Sequence, residues 1–466
     1  MGLSGSDADF AAALTAALGA GQVLEGSAVA ERNPGFGASN LRAGILVRPR
    51  DTAGVAATLR LCHEAGRAVV AQGGLTGLAG GATTGPGDVI LSLERLDRIE
   101  AIDPVNRTMT VGAGCHLQVV QEAAEAAGLM FPLDLPSRGS CTVGGNIATN
   151  AGGCRVFRYG MTRGLVLGLE AVLADGTVLS SLNRVIKNNA GYDLKQLFIG
   201  TEGTLGIVTR AVLRLFELPR GQATALAAVE SFEQVASLLK AVDGGLGGAL
   251  STFEVMWRNY YAVTAEATCG ASMPLPAKAP FVVLIEALDR SDEAARGALE
   301  GALGQAFEAG LLADAVVAKS AAESEVFWRI RDDSLVLFDR HETVLPFDIS
   351  LPIPEMADYV TTVEATLART LPDYATYTFG HIADGNLHFA VCGRAMDPAT
   401  RETAERAVYA PLDGRGSVSA EHGIGLDKKG WLPLSRNPEE LALMRRLKVA
   451  LDPKNILNPG KVVDAA

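Results

Sequence analysis

The sequence predicts an α+β protein of more than one domain, on three observations. At 466 residues the chain exceeds what one ordinary hydrophobic core encloses. Its first two hundred residues order strands, helices and glycine-rich loops as an α/β unit does. After Pro219 the composition changes, and the alternating helix and strand signals fit an antiparallel sheet. The boundaries drawn from these shifts are 1–218, 219–411 and a closing segment, 412–466.

Asp7 to about Ala20 has the spacing of a short amphipathic helix. Gly44–Pro49 (GILVRP) reads as a strand, and Asp51 caps a helix running to Ala65. A second strand, Arg67–Ala71, leads directly into the loop Gln72–Gly81, and Val89–Ser92 is a third. Ile99–Ala113 is strand-like, Leu117–Ala127 helical, and Pro132–Gly153 a long loop with little periodicity. Asp175-Gly176 is a hairpin signal between Leu165–Leu173 and Thr177–Leu179. Phe198–Leu215 supplies a turn and an apolar strand. Beyond Pro219, Phe232–Val242 and Asp292–Phe307 read as helices and Phe281–Ala287 as a strand. The tail Ser417–Val463 is a polar loop, a helix over Pro438–Leu447 and a closing segment.

Composition narrows the function. Apolar residues make up 48% and charged residues 20%, so a sizeable core can be buried. The net charge of -12, without a dense Lys/Arg cluster, disfavours nucleic acid as a partner. Six cysteines are scattered without a C-x-x-C, which argues against zinc ribbons, Fe–S ligation and a disulfide framework. The first residues resemble neither a signal nor a transit peptide, and no apolar run is long enough to span a bilayer. The expectation is a soluble, cytoplasmic protein.

Three polar, glycine-rich segments are candidates for holding a large ligand. Gly73–Gly81 contains five glycines and Thr76 but no lysine, so it is neither a Walker A loop nor G-x-G-x-x-G. Small residues there let successive backbone N–H groups face an anion, although the same glycines also suit a plain surface turn. Pro132–Gly153 is too apolar for disorder, and Ser140, Thr142, Asn146 and Asn150 could satisfy the polar edge of a bound ring. Gly200–Thr209 has the same character.

The octet His381–His388 (HIADGNLH) places Asp384-Gly385 between the apolar runs Tyr377–Ile382 and Leu387–Val391. A two-residue turn there pairs His381 with His388 across a hairpin, close enough for both imidazoles to reach one divalent ion. Another turn would shift that register, and a bare cross-strand contact is the plainer reading. Glu421-His422 lies in the polar loop Ser417–Gly425 and adds a carboxylate and a third imidazole. Two histidines and a carboxylate form a common catalytic metal set. His63, His116 and His341 lack such company.

These segments, above all PLDLPSRGSCTVGGNIATNAGG and GYDLKQLFIGTEGTLGIVT, resemble the FAD-binding domain of the vanillyl-alcohol oxidase/PCMH flavoprotein superfamily. The match runs from Val70 to Val212 and resumes from Thr378 to Lys461. Within that superfamily the chain resembles the D-lactate and D-2-hydroxyglutarate dehydrogenase branch. The resemblance implies a PCMH-type FAD-binding domain of two α/β subdomains, an antiparallel-sheet substrate domain, and a C-terminal segment returning to the flavin. It assigns FAD to Gly73, Gly74, Leu75, Thr76, Gly77, Gly80 and Gly81 at the pyrophosphate. Pro132, Asp134, Ser140, Thr142, Gly144, Gly145, Asn146, Asn150 and Gly152 would line the flavin and ribityl chain. Glu202, Gly206, Ile207 and Asn458 complete the set. The glycine loop has neither His nor Cys for a covalent link, so non-covalent FAD is expected.

The same resemblance makes His381, His388 and Glu421 ligands of a divalent metal such as zinc, and His422 the general base that also contacts substrate. Asn386 and, from the W-x-x-R pattern at Trp328, Arg331 would bind the substrate carboxylate. Leu335 and Pro346 depart from the hydroxyglutarate pattern, which has a threonine and a lysine there, so a shorter or less polar D-2-hydroxy acid, or a bulkier apolar one, is expected. Electrons would pass to an external carrier, such as an electron-transfer flavoprotein, a quinone or a cytochrome. A homodimer is expected only from the general prevalence of two-fold symmetric oligomers. The rival readings are an oxygen-reducing oxidase on the same scaffold and a His/His/Glu metal hydrolase, which leaves the glycine-rich loops unexplained.

Overall fold

A computed structural model describes residues 7–465; residues 1–6 and 466, at the ends of the predicted boundaries, lie outside the described residues. The chain divides into two units. One takes the chain up to Gly152, Tyr159–Leu218 and everything from Glu421; the other takes Gly153–Arg158 and Pro219–Ala420.

The first unit contains a four-stranded sheet in the order Val23–Glu25, Ile45–Val47, Val89–Ser92, Val69–Gln72. The last three are parallel, and their apolar runs are almost wholly buried, as parallel strands require. The helix Thr52–Ala65 starts where predicted: Asp51 Oδ1 accepts from Gly54 N at 2.8 Å, and Gly66, at φ 66°, ends it. Its Val55, Leu59 and Cys62 join Phe10 and Leu14 of the helix Asp7–Leu18 in one core.

A five-stranded antiparallel sheet follows, in the order Ile99–Asp103, Thr108–Gly112, Ile207–Arg214, Val166–Val172, Val178–Ser181. Its last two strands form the hairpin expected around Asp175-Gly176, with Gly176 at φ 84°. The stretch Pro132–Gly153, expected to be loop throughout, contains the short helix Val143–Thr149. Thr142 caps it by accepting from Gly145 N at 3.3 Å, and its buried Val143, Asn146 and Ile147 offset the poor helix propensity of two glycines. The tail helix is Pro438–Leu451, opened by a capping box between Asn437 and Glu440.

The second unit is built on a seven-stranded antiparallel sheet, ordered Asp314–Val317, Gly221–Val229, Phe281–Asp289, Leu250–Trp257, Ala375–Gly380, Asn386–Gly393, Thr343–Ser350. Four of these strands carried no clear signal in the sequence; Gly221–Val229 (GQATALAAV), for instance, is alanine-rich. Helices Arg258–Cys269 and Ala321–Asp332 pack Tyr260, Tyr261, Phe327 and Ile330 against Met256, Val282 and Leu284. Among the described residues no helix is long and apolar enough to cross a membrane.

Candidate active site

The second unit gathers its chemistry where strands Leu250–Trp257, Ala375–Gly380 and Asn386–Gly393 run side by side. Between the last two, the turn differs from the expected two-residue hairpin. Ile382–Asp384 forms a turn of 3-10 helix closed by Gly385 at φ 89°, so His388 stands opposite Phe379 and His381 lies just past the strand end. The register has slipped by two residues, which preserves the face each side chain occupies. The imidazoles of His381 and His388 are therefore still neighbours, with ring centroids 5.2 Å apart and planes at 80°.

His381 is buried and its Nδ1 lies 2.6 Å from Glu254 Oε1. Glu254 Oε2 accepts from Arg331 Nε at 2.9 Å and Nη2 at 2.7 Å. Burial alone would push the Glu254 carboxyl up, but Arg331 and His381 outweigh it and hold it below the ordinary carboxylate value. Burial would lower Arg331, and Glu254 reverses that to hold it above the usual arginine value. Arg331, expected at the substrate carboxylate, is thus only 6% exposed and already carries an anion. Its guanidinium also lies over the Phe379 ring, 4.9 Å from the centroid.

Asn386, expected to donate to the substrate, has its amide hydrogens committed: Nδ2 donates to Asp348 Oδ1 and to Ile349 O, both at 2.9 Å. Its buried Oδ1 has no partner. Asp348 is fully buried and stands opposite His388 in the sheet. Ser419 Oγ donates to Asp348 Oδ2 at 3.4 Å, and Ser417 pairs with Ser350 through backbone bonds of 2.7 and 3.1 Å. Glu421 follows Ser419 by two residues, so chain geometry alone keeps their Cα atoms within about 7 Å.

In the first unit the glycine-rich loops pack backbone on backbone. A methyl on Gly73 would overlap Thr142 Oγ1, and one on Gly74 would overlap the Ser140 carbonyl. Leu75 adopts φ 55°, an uncommon conformation for leucine. Gly77 has open space around it, whereas Gly80 faces Asp427 and Gly81 faces Glu202. Gly144 is pressed on Ala113 and Gly206 on the Phe198 ring. Pro132 and Ile207 are buried, Gly152 is buried beside the 153–158 segment, and Thr76 is partly exposed.

Several side chains expected at the cofactor serve the loops instead. Asn150 ends the helix Val143–Thr149 at φ 52°, and its Oδ1 accepts from Arg163 N at 2.8 Å. Asp134 pairs with Arg138 at 2.8 Å, and the Ser140 carbonyl lies 3.1 Å from His116 Nδ1. Glu202 accepts from Ile424 N at 2.7 Å and Gly425 N at 2.9 Å, so it anchors the strap that begins with Glu421 and His422. Burial raises its carboxyl, opposed by those two N–H groups and by Lys428 and Lys461. Asn458 donates to Gly81 O at 3.1 Å and Glu202 O at 2.7 Å, tying the tail to both loops.

Among the residues expected at the cofactor, Asn146 Nδ2 and Asn458 Oδ1 are buried without a partner. One is a donor and the other an acceptor, and with the glycine loops they fit a polar, ring-bearing cofactor. Sequence reasoning missed Glu254 and Asp348. The available signal was a lone acid inside each apolar strand, TFEVM and PFDIS.

Comparison with known proteins identifies the family. Residues 43–181 match the FAD binding domain family, and 218–462 match the C-terminal domain of the FAD linked oxidases. The chain is 40% identical over 420 residues to the mitochondrial D-2-hydroxyglutarate dehydrogenase of Bos taurus, covering 90% of this chain and 76% of that one. It is equally identical to a D-2-hydroxyglutarate dehydrogenase of Xanthomonas citri pv. viticola, covering 88% of this chain and 87% of that one. A crystal structure of p-cresol methylhydroxylase with substrate bound shares the fold, with a TM-score of 0.76 at 17% identity over 99% of this chain and 98% of that one.

Proposed function

The chain belongs to the FAD-dependent D-2-hydroxyacid dehydrogenases of the FAD-linked oxidase family, and from that membership we propose that it oxidises its acid beside a divalent cation. The observation that carries this reading is the adjacency of His381 and His388, with His381 hydrogen-bonded to a buried carboxylate. Glu421, which the family resemblance assigns to the same ion, would complete a donor set of two imidazoles and one carboxylate, which suits zinc. A cation held there supplies Lewis acidity for the substrate's hydroxyl and carboxylate oxygens. FAD, held by the Gly73–Gly81 and Pro132–Gly153 loops, would supply a hydride acceptor for the C2 hydrogen, and an external carrier would take its electrons. The glycine loop offers no His or Cys for a covalent flavin link.

The remaining steps belong to the chain's own residues. His422 takes the hydroxyl proton on a ring nitrogen as the 2-oxo acid forms. Glu202 holds the two backbone N–H groups just beyond His422 and so fixes the segment from which the base projects. Arg331, bound to Glu254 through Nε and Nη2 and to Asp332 through Nη1 at 3.3 Å, keeps its remaining Nη hydrogens for the carboxylate. The relatives' named substrate has a second carboxylate, but exposed Leu335 and Pro346 supply no partner for it. These positions support a short or apolar D-2-hydroxy acid.

Chelation tests the cation and base together. Stripped protein should keep its flavin but lose reduction by the acid, and added zinc should restore it. His422→Ala should bind both flavin and zinc yet reduce its flavin at least 100-fold more slowly. Full reduction after chelation would remove the cation from the reading, and wild-type rates in His422→Ala would remove the base.

A further inference from the structure

Glu254 lies in the strand Leu250–Trp257, where every residue but the last is buried, and its side chain is 1% exposed. A carboxylate in such surroundings needs partners on both oxygens. Oε1 meets His381 Nδ1 at 2.6 Å, and Oε2 meets Arg331 at 2.7 and 2.9 Å. The first contact fixes the imidazole: Nδ1–H donates to the carboxylate, leaving Nε2 as the electron-pair donor. Arg331 Nη2 does not compete for that lone pair. It lies 3.3 Å from Nε2 and 3.4 Å from Nδ1, and so nearly equal a spacing puts it over the ring face, not in the ring plane.

We propose that Glu254 is a positioning residue that assembles two sites at once, presenting His381 Nε2 to the cation and aiming the Arg331 guanidinium at the substrate carboxylate. This rests on the cation and substrate roles proposed above. One buried carboxylate thereby couples cation affinity to substrate affinity, although it touches neither ligand. A partner serving only to neutralise Arg331 would leave cation binding unchanged when replaced.

The test uses full-length flavin-loaded protein, stripped of metal and titrated with zinc against a chromogenic chelator. Glu254→Gln keeps the side chain's reach but replaces one acceptor with an amide donor. It should bind zinc about 10- to 100-fold more weakly and raise KM for the acid, with flavin content unchanged. Glu254→Asp retains the charge for Arg331 but withdraws from His381. It should also lose zinc affinity while melting near the wild type, and it carries the test if the glutamine variant does not fold. Wild-type zinc affinity in the folded variants overturns the proposal. A wild type that takes up no zinc overturns the underlying cation reading, so the two failures are distinguishable.

Discussion

Where the first unit lines its loops with glycine and neutral amides, the second gathers acidic and basic side chains beside its sheet. Gly73 and Gly74 lie against Ser140 and Thr142 with no room for a methyl group, and Asn146 and Asn458 each keep a polar atom open. Glu254, Arg331, His381 and Asp348 are all buried, and the Glu254 carboxylate bridges Arg331 and His381. The contrast fits the proposed roles. A large cofactor would be gripped by many weak backbone contacts, whereas the proposed cation and small acid would need a few charges held rigidly.

The largest expected effect comes from breaking the ionic side. Arg331→Met leaves the Glu254 charge buried without its main partner, which should cost about 3–5 kcal/mol of stability. Urea unfolding would read this as a lower midpoint, and an unchanged midpoint would mean that water reaches Glu254. On the glycine side, Gly74→Ala drives a methyl into the Ser140 carbonyl and should cost about 1–3 kcal/mol by forcing the loops apart. Its sharper signature is flavin lost on gel filtration, measured by the ratio of visible to ultraviolet absorbance; full retention would show that the loops can separate harmlessly.

The smallest effect lies in a buried acid of the first unit outside both sites. Burial raises the carboxyl of Glu170, but hydrogen bonds from Thr52, Ser180 and Thr209 and the charge of Arg210 outweigh it, leaving it below its ordinary value. Its contribution is therefore present above the unfolded value of about 4.3 and disappears as pH falls through the lower folded value. The stability gap between wild type and Glu170→Gln should narrow from pH 6 towards pH 3. A gap that widens on acidification would reverse the sign.

The same contrast explains what could be read from the sequence. Backbone cradles use consecutive residues, so Gly73–Gly81 and Pro132–Gly153 stand out as motifs, and Asp51 and Asp175-Gly176 mark their elements through local caps and turns. Local pattern could not supply the hairpin register, because Ile382–Asp384 coils into a 3-10 turn that Asp384-Gly385 alone does not announce. Nor could it show that Asn150 and Glu202 spend their polar groups on Arg163 and on the Ile424–Gly425 strap. Glu254 and His381 are 127 residues apart; only the pairing of Leu250–Trp257 with Ala375–Gly380 brings them together.

The most direct test is anaerobic mixing of the metal-replete protein with matched D- and L-2-hydroxy acids, D-lactate and D-2-hydroxyglutarate among them, while following the flavin's visible absorbance. The account predicts bleaching by D-acids alone, faster with a short or apolar acid than with the dicarboxylate. A flavin that stays oxidised with every acid, or is bleached equally by both enantiomers, would contradict it.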